Sequence, residues 1–241
     1  TIYKYANVAT MKSHGIEFTI SSKNIQSKDF SWNTDFIFSK AKNEVTELNA
    51  RSSVMDLVSG YGFARQGYPV RGLFSIPFVG LSSNGIPMYN INGKITSTDI
   101  DFQTRDNIDY LKYEGPTDPT ITGSFGNIFT YKAFKLNVFI TYSFGNVVRL
   151  NPCFNYQYSD LSSMPREFKN RWTVPGDERH TNIPAIISKR QYEDNKDLMY
   201  AYNAYNYSTE RIAKGDFIRM KEISLSYDFP KSWITSAKIY N

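Results

Sequence analysis

The chain has 241 residues, with 28 Lys and Arg against 23 Asp and Glu, and its mean hydropathy is −0.45. No run approaches the ~18 apolar residues of a spanning helix, the basic residues are scattered, and Cys153 is the single cysteine. Helical membrane spans, a nucleic-acid-binding patch and an intrachain disulfide framework are therefore excluded. The composition leaves a high aromatic content unexplained: 16% of the chain, with 18 Tyr and 17 Phe.

In chain order, GIEFTISS (15–22) sets Ile16, Phe18 and Ile20 against Glu17, Thr19 and Ser21. After a short link from Ser22 to Asp29, FSWNTDFIFS (30–39) sets Phe30, Trp32, Phe36 and Phe38 against Ser31, Asn33, Ile37 and Ser39. Successive side chains of a strand point to opposite faces, so both segments read as strands with one oily and one wet face. A long stretch from about 41 to 121 follows. Within it GYPVRGLFSIPFVGL (67–81), rich in Val, Ile and Phe, reads as a further strand pair.

FGNIFTYKAFKLNVFITYSFG (125–145) carries the clearest pattern. Phe134, Leu136, Val138, Ile140, Tyr142 and Phe144 share one parity, and Lys135, Asn137, Thr141 and Ser143 the other, with Phe139 the exception. Phe125, Phe129 and Tyr131 keep the alternation on the preceding strand, and Lys132-Ala133 occupies the place of a tight hairpin turn. A strand of about eleven residues, once tilted, is long enough to cross a bilayer's hydrocarbon core. A second long stretch, about 147 to 214, leads to FIRMKEISLSYDFP (217–230), where Ile223, Leu225, Tyr227 and Phe229 alternate with polar residues until Pro230 ends the strand. SAKIYN (236–241) reads as the start of another strand. Short links thus alternate with long ones, the rhythm of a membrane barrel with tight turns on one side and long loops on the other. A soluble β-sandwich would account for the alternation but not for that rhythm.

Sites for bond chemistry are sparse. His14 and His180 are the only histidines, and with one cysteine no zinc constellation is available. STDIDFQTRDNID (97–109) offers Asp99, Asp101, Asp106 and Asp109 as oxygen ligands, but it lacks the glycine and closing glutamate of a calcium loop. Asp177 and Glu178 are adjacent, an unsuitable spacing for a glycosidase pair. No catalytic residue, metal or cofactor is therefore assigned. Binding is better represented. DLMYAYNAYNY (197–207) places Tyr200, Tyr202 and Tyr205 among Asn203 and Asn206, rings and amides suited to a sugar or peptide, and RWTVPGDE (171–178) adds Trp172. The same rings are equally suited to packing these loops together.

Several phrases in order resemble the SusC/RagA family of TonB-dependent outer-membrane transporters. They are NVATMKSHGIEFTI with Asn7, Gly15 and Glu17; FSWNTDFIFSKAKNEVTEL with Asn43, Val45 and Leu48; GYPVRGLFSIPFVGLSSNGIPMY; GPTDPTITGSFGNIFTYKAFKLNV; RWTVPGDE with Ile183 and Pro184; and GDFIRMKEISLSYDFPKSW. Ala133 departs from the family's usual Gly. The resemblance implies an all-β fold, an antiparallel segment of a 22-stranded transmembrane β-barrel with long extracellular loops and short periplasmic turns. Residues 1–241 would be a C-terminal portion of that barrel, with the plug, N-terminal domain, export signal and closing strands outside this sequence. It also implies a non-enzymatic role in the outer membrane: import of oligosaccharides or, second, peptides, with a SusD-like surface lipoprotein and TonB as partners. A non-transporting adhesin or receptor, or a soluble glycan-binding β-domain, is the competing class.

Overall fold

A computed structural model describes residues 8–60, 64–154 and 164–236. Two long strands come first, β1 (Ala9–Gln26) and β2 (Phe30–Leu48), followed by a short helix α1 (Val54–Ser59). Five short strands follow: β3 (Gly72–Ser75), β4 (Phe78–Leu81), β5 (Pro87–Ile91), β6 (Lys94–Thr96) and β7 (Lys112–Pro116). The hairpin β8 (Ile121–Tyr131) and β9 (Phe134–Phe144) leads through β10 (Val147–Arg149) to helices α2 (Lys189–Asp194) and α3 (Leu198–Asn206). β11 (Ile212–Lys214), β12 (Phe217–Tyr227) and helix α4 (Lys231–Ser236) complete the described chain. The expected strand at 236–241 lies outside the described residues, apart from Ser236, which ends α4. The chain divides into two compact units: residues 13–42, 119–145 and from 215 onward form one, and Asn43–Asp118, Asn146–Lys214 and the run to Lys12 form the other.

The first unit is a five-stranded sheet in the order β1-β2-β8-β9-β12. Its registered pairs put like side chains on one face. Phe36 faces Phe125, Phe125 faces Ile140, and Ile140 faces Met220; Trp32, Phe129, Leu136 and Leu225 form a second such row. Rings gather toward the turn end, where Trp32 stacks on Phe129 (5.6 Å) and Phe134 lies 4.6 Å from Tyr227, which meets Phe229. A second group at the other end joins Phe18 to Phe38 (5.1 Å) and Phe36 to Tyr142 (6.3 Å). Two aromatic bands with aliphatic side chains between them are what the two interfaces of a bilayer select. Ile223 and Leu225, on the edge strand β12, are 64% and 70% exposed.

The opposite face is polar and bonded to itself. Ser21 donates to Asp35 (2.6 Å), Ser39 to Glu17 (2.9 Å), and Asn137 and Ser224 both donate to Glu222. Phe139 interrupts this face for a local reason: it is paired with Gly126, and its ring covers the place where a side chain would stand. In β12 the ladder slips between Met220 and Glu222, so Lys221 is a bulge residue. The apolar parity therefore passes from Ile218 and Met220 to Ile223, Leu225 and Tyr227. At the hairpin, Lys132 sits in the left-handed region (φ 51) and donates its N–H to the Asp29 carbonyl.

The first two strands, β1 and β2, run to 18 and 19 residues, well past the alternating segments. Segment 67–81 does not form a spanning pair. It contributes β3 and β4, four residues each, which pair with β7 and β5 rather than with each other. Pro77, between them, is incompatible with a continuous central strand. Among the described residues five long strands result, and 67–81 does not add a pair to them.

The second unit comprises the long connections, which have a core of their own. One cluster joins Val54, Leu57 and Val58 of α1 to Phe74, Ile76, Tyr89 and Phe102; another joins Phe154, Phe168, Leu198, Tyr202 and Tyr205. α1 begins at a reciprocal capping box between Ser53 and Asp56 and ends at Gly60 with φ 70. Arg149 ties several segments together, with its guanidinium donating to the carbonyls of Val58 (2.9 Å), Phe74 (2.6 Å) and Ser208 (3.2 Å). Its burial lowers its pKa to about 10, against the raising effect of Glu114.

Candidate functional site

The tyrosine-rich segment 197–207 is helical. Leu198, Ala201, Tyr202 and Tyr205 recur at helical spacing and turn into the core, whereas Tyr200 is 43% exposed. Asn206 is committed to structure: its side-chain oxygen accepts from the N–H groups of Cys153 (2.9 Å) and Phe154 (3.1 Å), and its amide donates to the Phe154 carbonyl. Tyr89 donates its hydroxyl to the Ala201 carbonyl (2.7 Å) from a fully buried position. These bonds fix α3 against the core.

A cleft of about 970 Å³ opens along α3. Its apolar floor is made by Met55, Ile100, Phe102, Phe154 and Met199, with Tyr202 beneath Tyr200 and Asn203. Asp99, Asp101, Gln103 and Asp197 supply the polar lining. Two segments singled out in the sequence for separate reasons, the acidic run 97–109 and the tyrosine run 197–207, therefore meet at one place. Asp99 is ion-paired with Lys94. Asp101 accepts from the Gln103 N–H (2.8 Å), and Asp197 makes no capping bond in α3. The Tyr110 hydroxyl is pushed up to about 12, first by burial and then by the charge of Asp101.

Among the four aspartates weighed as calcium ligands, Asp106 pairs with Arg51 (2.9 Å) and Asp109 with Arg65 (2.5 Å). Among the described residues no group of three acidic, histidine or cysteine side chains could hold a metal ion. Of the binding candidates, Tyr200 and Tyr202 line the cleft. Tyr205 is 2% exposed within the second cluster, where its burial raises its pKa.

Trp172 is not a cleft residue. Its ring lies against Gly85, and its indole N–H donates to Glu178 (3.1 Å). Glu178 also accepts from the Gly176 N–H, and Asp177 accepts from the N–H groups of Thr173 and Val174 and from the Thr173 hydroxyl. Hydrogen bonds from the backbone hold both carboxylates below their ordinary range, and the side-chain donors Thr173 and Trp172 add to this. The adjacent acids therefore staple their own turn. The sequence reading missed Met55, Phe102, Gln103, Phe154, Met199 and Asp197. Of these, Phe102, Gln103, Asp197 and Met199 lie within the two segments already under consideration, whereas Met55 and Phe154 carried no local signal.

A sheet with one apolar and one polar face, two aromatic bands, and links of two or three residues alternating with very long ones has the architecture of an outer-membrane β-barrel wall. The relatives agree. The chain is 25% identical to "TonB-dependent receptor P3" of Formosa agariphila over 258 residues, covering 95% of this chain and 23% of that protein. It is also 25% identical to "TonB-dependent receptor SusC" of Bacteroides thetaiotaomicron, covering 95% of this chain and 22% of SusC. Among solved structures, the RagAB peptide transporter superposes with a TM-score of 0.68 at 20% identity, covering 95% of this chain and 24% of that one. No family model matches. The resemblance to the SusC/RagA family read from the motifs is borne out, and the chain spans about a quarter of the length of these relatives. The names these relatives carry are those of receptors and transporters.

Proposed function

We propose that residues 1–241 form a C-terminal portion of the barrel of a SusCD-type importer that takes up oligomeric nutrients, oligosaccharides or peptides, across the outer membrane. The carrying observation is the five-stranded sheet with opposite faces of opposite polarity, joined by alternately very short and very long connections. In this reading the apolar face meets lipid, the bonded polar face lines the lumen, and the long connections lie outside the cell. There they meet cargo and a SusD-like lipoprotein. TonB acts on parts of the protein outside this sequence. Tyr200 is the better cargo-contact candidate because it lines the cleft and is exposed, while Trp172, Tyr202 and Tyr205 are engaged in packing.

The test is to extract the full-length parent protein from outer membranes in mild detergent, weigh the complex, and identify co-purifying molecules by mass spectrometry. A large barrel with a lipoprotein and an oligomeric ligand is the expected outcome. A barrel that binds oligomers at the surface but does not deliver labelled cargo to the periplasm would establish the adhesin class instead. A detergent-independent species would establish a soluble domain.

A further inference from the structure

We propose that the cleft along α3 is a subsite for a peptide segment that presents a basic side chain next to an apolar one. The inference rests on the importer reading in that the ligand it names is cargo. Three properties of the cleft carry it.

Its charge is one-sided: Asp99, Asp101 and Asp197 line it, and no Lys or Arg does so among the described residues. The chain as a whole is positive by five charges, so the acidity is local. A cleft of one sign with an apolar floor concentrates the opposite charge and repels its own. Polyanionic oligomers are therefore disfavoured. Asp197 is the best placed to receive a cation, because it makes no capping bond and its partner is not fixed within α3. Asp99 already shares Lys94.

The floor is the second property. Met55 and Met199 are half-buried in the cleft, and methionine's flexible, polarizable side chain adapts to apolar groups of varied shape. Phe102 and Phe154 are 7% and 6% exposed, so they offer a floor rather than an open stacking face. Among the described residues that line the cleft, Tyr200 is the one well-exposed ring. A chain of sugar rings would be better served by several open rings, whereas an apolar side chain needs only a pocket floor.

Size is the third. About 970 Å³ stands near the top of the usual ~300–1,000 Å³ range for ligand pockets. It has room for several residues, more than a single amino acid needs. Gln103 and Asn203 add amides that can pair with a peptide backbone.

The test uses the full-length parent complex in detergent and short dye-labelled peptides, read by fluorescence anisotropy. The peptides are identical except for Lys, Gln or Glu beside a Phe. The expected order of affinity is Lys, then Gln, then Glu, with about tenfold between the extremes at low salt. In D101N/D197N that spread should collapse to about twofold. Asparagine keeps the acceptor that Asp101 offers to the Gln103 N–H, so the loop is retained. Tyr200→Ala should weaken all three peptides alike. Equal binding of the three by the unaltered complex, or an order unchanged in D101N/D197N, overturns the inference. If the complex is nonetheless a barrel with its lipoprotein, only the cleft assignment fails. If the parent protein needs no detergent, the importer reading itself fails, whatever the peptides do.

Discussion

The two units of this chain use the same residue types to opposite ends. In the sheet, Ile223 and Leu225 are exposed and Asn137 and Glu222 are bonded to each other on the other face. In the connections Tyr89 and Phe74 are sealed inside, with polar groups spent on holding backbone together. The sheet has no interior of its own: a lipid phase must supply the solvent for one face. The connections make their own interior, as a soluble domain does. Alternation at period two is therefore the signature of a region whose surroundings are uniform on each side. Its loss marks a region whose surroundings are made by distant parts of the same chain.

The largest break in that contrast should come from the connections. Arg149→Ala strands the carbonyls of Val58, Phe74 and Ser208, and should destabilise this unit by about 3–5 kcal/mol. Limited proteolysis of the intact parent should then cut within 43–118 and 146–214 while the barrel keeps its heat-modifiable gel mobility. Next comes the sheet. Ile140→Arg places a charge on the lipid face and should cost about 2–4 kcal/mol, whereas Thr141→Arg, one residue on and facing the opposite way, should cost much less. Chemical unfolding of the barrel in lipid measures both, and equal losses would sink the assignment of faces.

Smaller effects sharpen the comparison. Asn127 lies on the apolar face, where its side-chain oxygen accepts from the Trp32 indole (2.8 Å) and the Thr34 hydroxyl (2.8 Å). Asn127→Leu should cost about 1 kcal/mol despite being more apolar, because it leaves both donors without this acceptor in lipid. In the connections, Asp177 and Glu178 have depressed pKa values, so the stability they contribute is present above their unfolded values and is lost as pH falls through the folded ones. Hydrogen exchange at the Thr173, Val174 and Gly176 amides, corrected for intrinsic rates, should quicken over that acidic window and not near neutrality. The smallest effect is at the hairpin. Lys132→Gly relieves a left-handed lysine and should stabilise the barrel by about 0.5 kcal/mol.

The strands, their facing and the short turns were legible because each depends on neighbours one or two residues away. Phe139 broke the pattern because its explanation, Gly126, lies across the ladder. The helical character of 197–207 was obscured by its tyrosines, residues that serve strands and helices alike, although Leu198, Ala201, Tyr202 and Tyr205 carried the helical spacing. Segment 67–81 misled for a related reason: a short apolar run is written alike for a spanning strand and for a buried loop strand. The cleft was half legible. Tyr200, Tyr202, Asp99 and Asp101 were singled out, but their meeting depends on contacts between residues near 55, 100, 154 and 200, and no local pattern encodes that.

The bulge at Lys221 has a consequence for how such a wall tolerates changes in length. A strand behaves like a text read in pairs: inserting one residue swaps every later side chain between lipid and lumen, much as a frameshift garbles every later codon. Lys221 is a built-in single-letter insertion, and the sequence on its far side is already written in the shifted frame, with Ile223, Leu225 and Tyr227 in place of even-numbered partners. Deleting Lys221 alone should therefore leave every later side chain on its present face and remove only the bulge, whereas deleting a paired residue such as Ser224 should exchange all the later faces. A second deletion on the same strand would restore the frame at the expense of height.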